Sequence, residues 1–230
     1  MTPVTEAHTT ALIVAVHTGA TDALRRLLSD HPELATARFD GRTPLHLATD
    51  WPGHFPNAAA TITVLAEAGA DVNARFEGSH TETPLHWAAS SNDVAALDAL
   101  LDAGADIDAD GAVIAGGTPL TDARAFAQWD TARRLVERGA RTTLADAATL
   151  GLLDRVRACF PGATSDEADE AFWGACHGGQ RPCAEFLLAQ GADLNWLPPW
   201  EPLTPLDAAL RSGAADLVQW LREQGARSAS

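Results

Sequence analysis

The sequence predicts an all-α repeat protein, and three observations carry this prediction. The string Thr43-Pro44-Leu45-His46 recurs as Thr83-Pro84-Leu85-His86, and its first three residues recur at 118–120 and 204–206. An Ala follows each Leu by three positions, which places the two on one helical face. A second Leu and a Gly stand 15 and 19 positions after the first Leu in three of the four copies. Self-similarity of this kind indicates a stack of small repeated units.

Each position of the pattern has a physical role. Thr caps the N-terminus of a short helix, and Pro fits its first turn, where a missing N–H costs nothing. The Leu and Ala positions form the apolar face, and the small Ala lets neighbouring helices lie close together. Gly104 and its equivalents end a second helix in a left-handed cap. The Asp and Asn residues after them favour the turn to the next unit.

This pattern resembles the ankyrin repeat, whose signature reads Thr-Pro-Leu-His, Ala-Ala, then Leu-Leu and Gly-Ala-Asp, and residues 83–109 match it almost completely. The resemblance implies an all-α ankyrin-repeat solenoid of helix-turn-helix units with β-hairpin fingers. Degenerate copies extend it to a single domain over 1–230 with about seven repeats. Their expected bounds are 6–38, 39–75, 76–109, 110–141, 142–163, 166–197 and 198–228.

The repeats are unequal in length. Residues 53–57 are an insertion between the two helices of the second repeat, and residues 78–81 lengthen the next finger. Short spacings around repeats four to six leave little room for fingers there. Insertions in repeat arrays often lie on the binding face, so we expect a site in the first half. Cys159 and Pro161-Gly162 make the fifth repeat the weakest match, which predicts the least stable interface of the array.

Composition limits the class of partner. Hydrophobic residues make up 46% of the chain and charged residues 20%, as in a globular protein. The net charge of −15 disfavours nucleic acid and anionic membrane surfaces, and all basic residues are Arg. We interpret the absence of Lys and Tyr as the codon bias of a GC-rich, bacterial genome. These features predict neither a nucleic-acid partner nor a membrane partner.

The location is predicted from what the sequence lacks. No apolar run approaches the ~20 residues that span a bilayer. Residues 1–10 are polar and do not resemble a signal peptide. The three cysteines, Cys159, Cys176 and Cys183, form no metal-ligand pattern, so we expect them to be buried as small apolar residues in a reducing cytosol. A cytoplasmic monomer is therefore expected.

The resemblance also indicates which residues line a binding groove. In ankyrin repeats these are the finger tips and the residues five and six after the first Leu, which here combine aromatics, histidines and acids. The expected partner-binding residues are Phe39, Asp40, Arg42, Asp50, Trp51, His80, Glu82, Trp87, Ser90, Ser91, Phe126 and His177. Exposed aromatic residues of this kind are typical of binding hot spots.

The histidines fall into two classes. His46 and His86 occupy the signature position, where the resemblance implies a hydrogen bond to neighbouring backbone. Candidates for acid–base chemistry are Asp50, His54, His80, Glu82 and His177, since imidazole titrates near neutral pH. Their spacing is not that of a metal site. Nucleophile-elbow, phosphate-loop and zinc-protease signatures are missing from the sequence, so we assign no catalytic residue beyond these candidates and predict no metal or cofactor.

Two functions remain open. The first is a non-enzymatic module that binds a protein partner through the concave groove of the repeat stack. The alternative is a small-molecule-binding protein or enzyme with a His/Asp/Trp site in the groove near repeats two and three. Fold alone does not decide between them, because function resides in the site.

Overall fold

The structure, a computed structural model, describes residues 5–229, so residues 1–4 of the N-terminal segment considered above lie outside it. The described chain contains fourteen α-helices, one 3₁₀ helix and no β-sheet, which confirms the all-α prediction. No helix in the described range is long and apolar enough to cross a membrane. The chain divides into two compact units, Met1–Ala140 and Arg141–Ser230.

Unit 1 is built from four consecutive helix pairs. They are α1 (Glu6–Thr18) and α2 (Thr21–Asp30), α3 (Pro44–Thr49) and α4 (Ala58–Glu67), α5 (Pro84–Ser90) and α6 (Val94–Asp102), and α7 (Pro119–Ala125) and α8 (Trp129–Glu137). The 3₁₀ helix Pro32–Thr36 follows α2. The insertion at 53–57 lies between α3 and α4, as the spacing predicts.

Unit 2 is built from three helix pairs. They are α9 (Leu144–Thr149) and α10 (Leu153–Cys159), α11 (Ser165–His177) and α12 (Arg181–Ala189), and α13 (Pro205–Ser212) and α14 (Ala215–Glu223). Only residues 160–164 join α10 to α11, whereas residues 68–83 and 103–118 join successive pairs in unit 1. The last connection of unit 2, residues 190–204, is about as long as those of unit 1, so the shortened connections lie in the middle of the chain.

The helical register predicted from the repeat places the core. Its seven first-Leu positions are all buried: Leu12, Leu45, Leu85, Leu120, Leu144, Phe172 and Leu206. Burial of each such side chain contributes about 1.5–3 kcal/mol. Cys176 and Cys183 join the core of unit 2, but the prediction that Cys159 is buried is wrong. Cys159 ends α10, a helix whose buried residue is Val156 alone, and is exposed.

The fingers are less regular than β-hairpins. The described residues show one isolated antiparallel bridge, between Phe39 and Arg42. The next finger is closed by a hydrogen bond from the Phe76 N–H to the Glu82 carbonyl oxygen at 2.8 Å. These segments are short and rich in turn-forming residues, so successive pairs do not develop into a ladder. The connections are therefore finger-like loops that do not form a β-sheet.

The first helix of each pair begins with a capping box, and the residue that completes the box differs between the two units. Thr43, Thr83 and Thr204 each cap a helix whose first residue is Pro. The residue three positions after the cap reaches back to the cap backbone and completes a capping box. In unit 1 these third positions are His8, His46, His86 and Thr121. In unit 2 they are Asp146, Glu167 and Asp207.

Candidate functional site

A shallow cavity of about 240 Å³ opens on unit 1 between the second and fourth helix pairs. We name it the aromatic–acid pocket. It is lined by Asp50, Trp51, His80, Glu82, Trp87, Ser90, Ser91, Val113 and Phe126. All of these except Val113 are among the expected partner-binding residues. The structure thus brings together side chains from the α3–α4 loop, two fingers, α5 and the end of α7.

The outer wall of the pocket is Trp51. It follows α3 in the loop that contains the insertion, and 81% of its surface is exposed. The Asp50 carboxylate accepts a hydrogen bond from the Trp51 N–H at 2.9 Å, and a second from the Arg42 guanidinium at 2.9 Å. Arg42 belongs to the preceding finger, so an ion pair ties that finger to the loop that presents Trp51.

The floor of the pocket is the Glu82 carboxylate, and Glu82 is only 6% exposed. One carboxylate oxygen accepts the Trp87 indole N–H at 2.8 Å, and the other accepts the Val113 N–H at 2.9 Å. His80 Nδ1 lies 2.9 Å from Glu82 Oε2, outside hydrogen-bond geometry. A buried carboxylate is tolerated when hydrogen bonds satisfy its oxygens, and here two neutral donors do so.

Aromatic rings hold the inner wall. The Trp87 ring centroid lies 5.5 Å from that of Phe76 and 4.9 Å from that of His46. Phe76 also contacts His80, at 4.8 Å between centroids. Tilted and edge-on ring pairs at these distances are stabilising. Trp87 is thereby fixed at its indole N–H and on its ring, whereas Phe126, across the pocket, is 46% exposed.

A second carboxyl group lies behind Glu82. Asp122, in α7, is completely buried close to Glu82. Burial is the main cause that raises the pKa of Asp122 to about 8; the nearby Glu82 carboxylate contributes to the rise, and the Ile114 N–H opposes it. Because burial and a nearby carboxyl group both disfavour ionisation, Asp122 holds its proton at neutral pH.

His46 supports the pocket from behind, in the structural role expected for it. Its Nδ1 accepts the Thr43 N–H at 3.2 Å, and its Nε2 lies 3.2 Å from the Glu82 carbonyl oxygen, to which it donates. His86 repeats the arrangement with Thr83 and the Gly117 carbonyl oxygen. Burial lowers the pKa of both imidazoles to about 4, so each is neutral in the folded chain.

Two of the acid–base candidates lie apart from the pocket. His54 donates its backbone N–H to Asp93 at 2.7 Å and its Nε2–H to the Ser91 carbonyl oxygen at 3.1 Å. The structure therefore does not join Asp50, His54 and His80 into one constellation. His177 belongs to unit 2, where its ring stacks on Trp173 at 5.3 Å between centroids.

Two further predicted residues, Phe39 and Asp40, are at the tip of the first described finger and do not line the pocket. Their partner there is Arg42, through the bridge to Phe39 and a 3.8 Å ion pair with Asp40. Within residues 5–229 no group of three His, Cys, Asp or Glu side chains is arranged to hold a metal ion.

Sequence reasoning missed Val113 and Asp122. Val113 contributes a backbone N–H, which residue identity does not reveal. Asp122 had a usable signal, because it stands two residues after Leu120, as the inward-facing Trp87 stands two after Leu85. A carboxyl group at that position of the repeat is carried toward the neighbouring finger.

The chain matches the sequence model described as "Ankyrin repeats (3 copies)" over residues 3–76 and 60–146, which together cover more than half of it. The chain belongs to the ankyrin-repeat family. Ankyrin repeats are in general protein–protein interaction modules. The match ends shortly after the aromatic–acid pocket, so the pocket lies within the part of this ankyrin-repeat chain that fits the family model.

Relatives and solved structures agree with this assignment. Protein fem-1 homolog A of rat and of human, and protein fem-1 homolog A-A of mouse, are each 37% identical over 99 residues. That segment is 39% of this chain and only 14% of each relative. The crystal structure of the human ASB11 ankyrin repeat domain matches with a TM-score of 0.57 and 21% identity. The match covers 91% of this chain and 96% of that one, and it concerns the fold.

Proposed function

We propose that this ankyrin-repeat chain is a non-enzymatic module that binds a protein partner through the aromatic–acid pocket and the surface around it. The observation that carries the proposal is the exposure of Trp51, at 81%, beside Phe126 at 46% and Val113 at 54%. Large apolar side chains that surround a polar centre are typical of interaction sites.

The pocket's size favours a macromolecular partner over a small molecule. Small-molecule sites are clefts of roughly 300–1,000 Å³ that enclose most of their ligand. The pocket is about 240 Å³ and open to solvent. A side chain of a partner fits such a depression while the partner's backbone remains outside.

The alternative, a small-molecule site or an enzyme, retains one supporting observation. The pKa of the buried Asp122 carboxyl group is raised by burial and by Glu82, and perturbed carboxyl groups cluster at functional sites. Asp122 is nevertheless sealed from the pocket opening, and Asp50 and His54 are engaged by Arg42 and Asp93. These contacts favour a structural use of the acids and a binding use of the aromatics.

The proposal is tested by capture from native lysate with the tagged full chain and two matched variants. Trp51→Ala removes an exposed side chain of the pocket, and Trp200→Ala removes one of unit 2, where Trp200 is 55% exposed. We expect the intact chain and Trp200→Ala to retain the same partner, and Trp51→Ala to lose it. Hot-spot residues of this type contribute about 2 kcal/mol or more.

Two outcomes would overturn the proposal. One is capture that Trp51→Ala and Phe126→Ala leave unchanged, with both variants folded by circular dichroism. The other is capture lost only in Trp200→Ala, which would move the binding surface to unit 2.

We also propose a cytoplasmic location. Burial raises the pKa of the Cys176 thiol, and raises that of Cys183 to about 11, so both thiols stay protonated. Such cysteines are compatible with a reducing compartment. Fluorescence imaging of the tagged chain in its native cell tests the location, and a signal confined to another compartment would contradict it.

A further inference from the structure

The aromatic–acid pocket has a buried carboxylate, that of Glu82, at its floor. Of its two carboxylates, Asp50 is paired with the Arg42 guanidinium at 2.9 Å. Glu82 accepts hydrogen bonds from the neutral N–H groups of Trp87 and Val113, and His80 Nδ1 lies 2.9 Å from its Oε2 atom. Neutral donors satisfy the oxygens of a carboxylate and leave its charge in place. That charge acts strongly on a nearby cation, because the side chain is shielded from water.

The walls of the pocket suit a cation as well as the floor does. Trp51, Trp87 and Phe126 contribute aromatic side chains to one cavity. The face of an aromatic ring attracts an ammonium or guanidinium group, and Trp does so most strongly. Aromatic walls over a carboxylate favour a positive group over a neutral apolar one, since a cation is attracted both by the ring faces and by the Glu82 carboxylate.

In unit 2 a cation of the chain itself lies between an aromatic ring and a carboxylate. The Arg211 guanidinium lies 5.7 Å over the Trp173 ring and is held by the Glu201 carboxylate through two hydrogen bonds, at 2.8 and 3.0 Å. Arg211 stands five residues after Leu206 in its repeat, and Ser90 stands five residues after Leu85. A serine in the aromatic–acid pocket thus takes the register position that a cation occupies in unit 2.

We propose that the aromatic–acid pocket binds a cationic side chain of the protein partner, a guanidinium or an alkylammonium group, between Trp51 and Trp87 and against Glu82. The inference rests on the proposed function and specifies the chemistry of the partner at this site. The incoming charge replaces, in unit 1, the internal cation that Arg211 supplies in unit 2.

The test uses the intact chain labelled with ¹⁵N and three small probes at constant ionic strength. The probes are Nα-acetyl-arginine amide, Nα-acetyl-lysine amide and the uncharged isostere Nα-acetyl-citrulline amide. The readout is the indole N–H resonances of Trp51 and Trp87, assigned by substitution. We expect saturable shifts of both resonances with at least one cationic probe, in the millimolar range, and at least tenfold weaker binding of citrulline.

The outcomes separate the sources of the cation. A response to arginine alone, to lysine alone or to both supports the proposal and names the side chain. Equal responses to all three probes, or none from either cationic probe, overturn it.

Variants locate the site. Glu82→Gln keeps the acceptor for Val113 and removes the charge, and we expect it to weaken cation binding about tenfold or more. Because the Trp51 side chain is exposed, Trp51→Leu should leave the fold intact. We expect this variant to bind the cationic probe about twofold to fivefold more weakly, measured from the Trp87 indole N–H resonance. Trp200→Leu is the matched control and leaves the affinity unchanged. Unchanged affinity in folded Trp51→Leu would contradict the proposal even if Glu82→Gln did not fold.

Failure of this inference is distinguishable from failure of the proposed function. If partner capture depends on Trp51 while the cationic probes do not bind, the partner uses the aromatic wall without a cation, and this inference alone is overturned. If capture is independent of Trp51 and Phe126, the proposed function is overturned as well.

Discussion

The two units of the chain begin their helices with the same capping box but complete it with different chemistry. Unit 1 uses the buried imidazoles of His46 and His86, whereas unit 2 uses the carboxylates of Asp146, Glu167 and Asp207. An imidazole must be neutral to accept the cap N–H, and a carboxylate must be ionised to do so strongly. Equivalent backbone structure therefore has different pH limits in the two halves of one chain.

The pKa shifts determine in which direction of pH each capping box loses its contribution to stability. Burial lowers the pKa of His46 and His86 to about 4, so their contribution is complete above pH 6.5 and is lost as the pH falls toward 4. Hydrogen bonds from Thr164 lower the pKa of Glu167. For Asp207, burial raises the pKa, but hydrogen bonds from Ala229 and Thr204 outweigh it and the net shift is downward. Those contributions are lost only below about pH 4.

The largest expected effect is selective loss of unit 1 in mild acid. Between pH 7 and pH 5 the histidine boxes destabilise unit 1, by up to about 3 kcal/mol for each imidazole at full titration. Hydrogen exchange of the α3 and α5 amides, corrected for intrinsic rates, should show opening at pH 5 while α11 and α13 stay protected. His86→Gln should reduce the pH dependence of α5. Equal opening of the two units at pH 5 would contradict the claim that their capping boxes have different pH limits.

A second effect limits unit 1 on the alkaline side. The raised pKa of Asp122, caused by burial and by Glu82, means that stability is complete below about pH 4 and is lost as the pH rises through about 8. The slope is about 1.4 kcal/mol per pH unit for one proton. With the histidine terms, unit 1 should be most stable near pH 6.5.

The alkaline limb is measured by urea unfolding of the intact chain and of Asp122→Asn between pH 6.5 and 8.5. We expect the variant to keep its stability as the pH rises, because an amide has no proton to lose. Asp146→Asn, at a capping box of unit 2, is the control and should leave the alkaline slope in place. A slope retained in Asp122→Asn would assign the limb to another group.

A smaller effect separates two helices at neutral pH. Helix α10 buries Val156 alone, whereas α6 buries Ala96, Leu97 and Leu100. We expect the amides of α10 to open at a free energy lower by about 2 kcal/mol or more, since fewer apolar side chains hold the helix. Native-state hydrogen exchange at pH 7 measures both helices in one sample. Protection of α10 equal to that of α6 would refute the prediction that the fifth repeat is weakest.

The smallest expected effect compares two cap threonines. Thr204→Ala removes a cap beside Asp207 and should cost about 1 kcal/mol. Each hydroxyl also contacts the third residue of its box, Thr83 with His86 Nδ1 at 2.9 Å and Thr204 with Asp207 Oδ2 at 2.8 Å. Thr83→Ala should cost somewhat more, about 1–2 kcal/mol, because His86 is completely buried whereas Asp207 is partly exposed. Chemical denaturation of the two variants, each against the intact chain, gives the difference. A larger loss in Thr204→Ala would place the greater capping energy in unit 2.

The sequence predicted the helical repeat well because its signals are local. The caps Thr43 and Thr83, the buried first-Leu positions and the glycines after the second helices each depend on neighbouring residues. Gly69 and Gly104 adopt φ values of 94° and 95°, in the left-handed region. Bounds of the seven repeats remain a prediction, as do the assigned roles of the pocket residues.

The site was harder to predict because its contacts cross between repeats. The sequence indicated Trp51, Glu82 and Trp87 but not that Asp122 would be buried close to Glu82, since 40 positions separate them. His54 shows a further contact between repeats that the sequence did not reveal. It lies in the insertion, yet a left-handed backbone with φ of 57° and its bonds to Asp93 and Ser91 turn it to a structural use.

Glu82 is held by its backbone and used by its side chain. The His46 imidazole donates a hydrogen bond to the Glu82 carbonyl oxygen, a group that every amino acid possesses, whereas the Glu82 carboxylate lines the pocket. Evolution can therefore exchange the side chain at position 82 without releasing the finger from the scaffold. A glutamine or another acceptor there would retain the Val113 contact and change the preferred partner. In Glu82 the backbone carbonyl oxygen therefore holds the finger in place, and the side-chain carboxylate determines what the pocket prefers to bind.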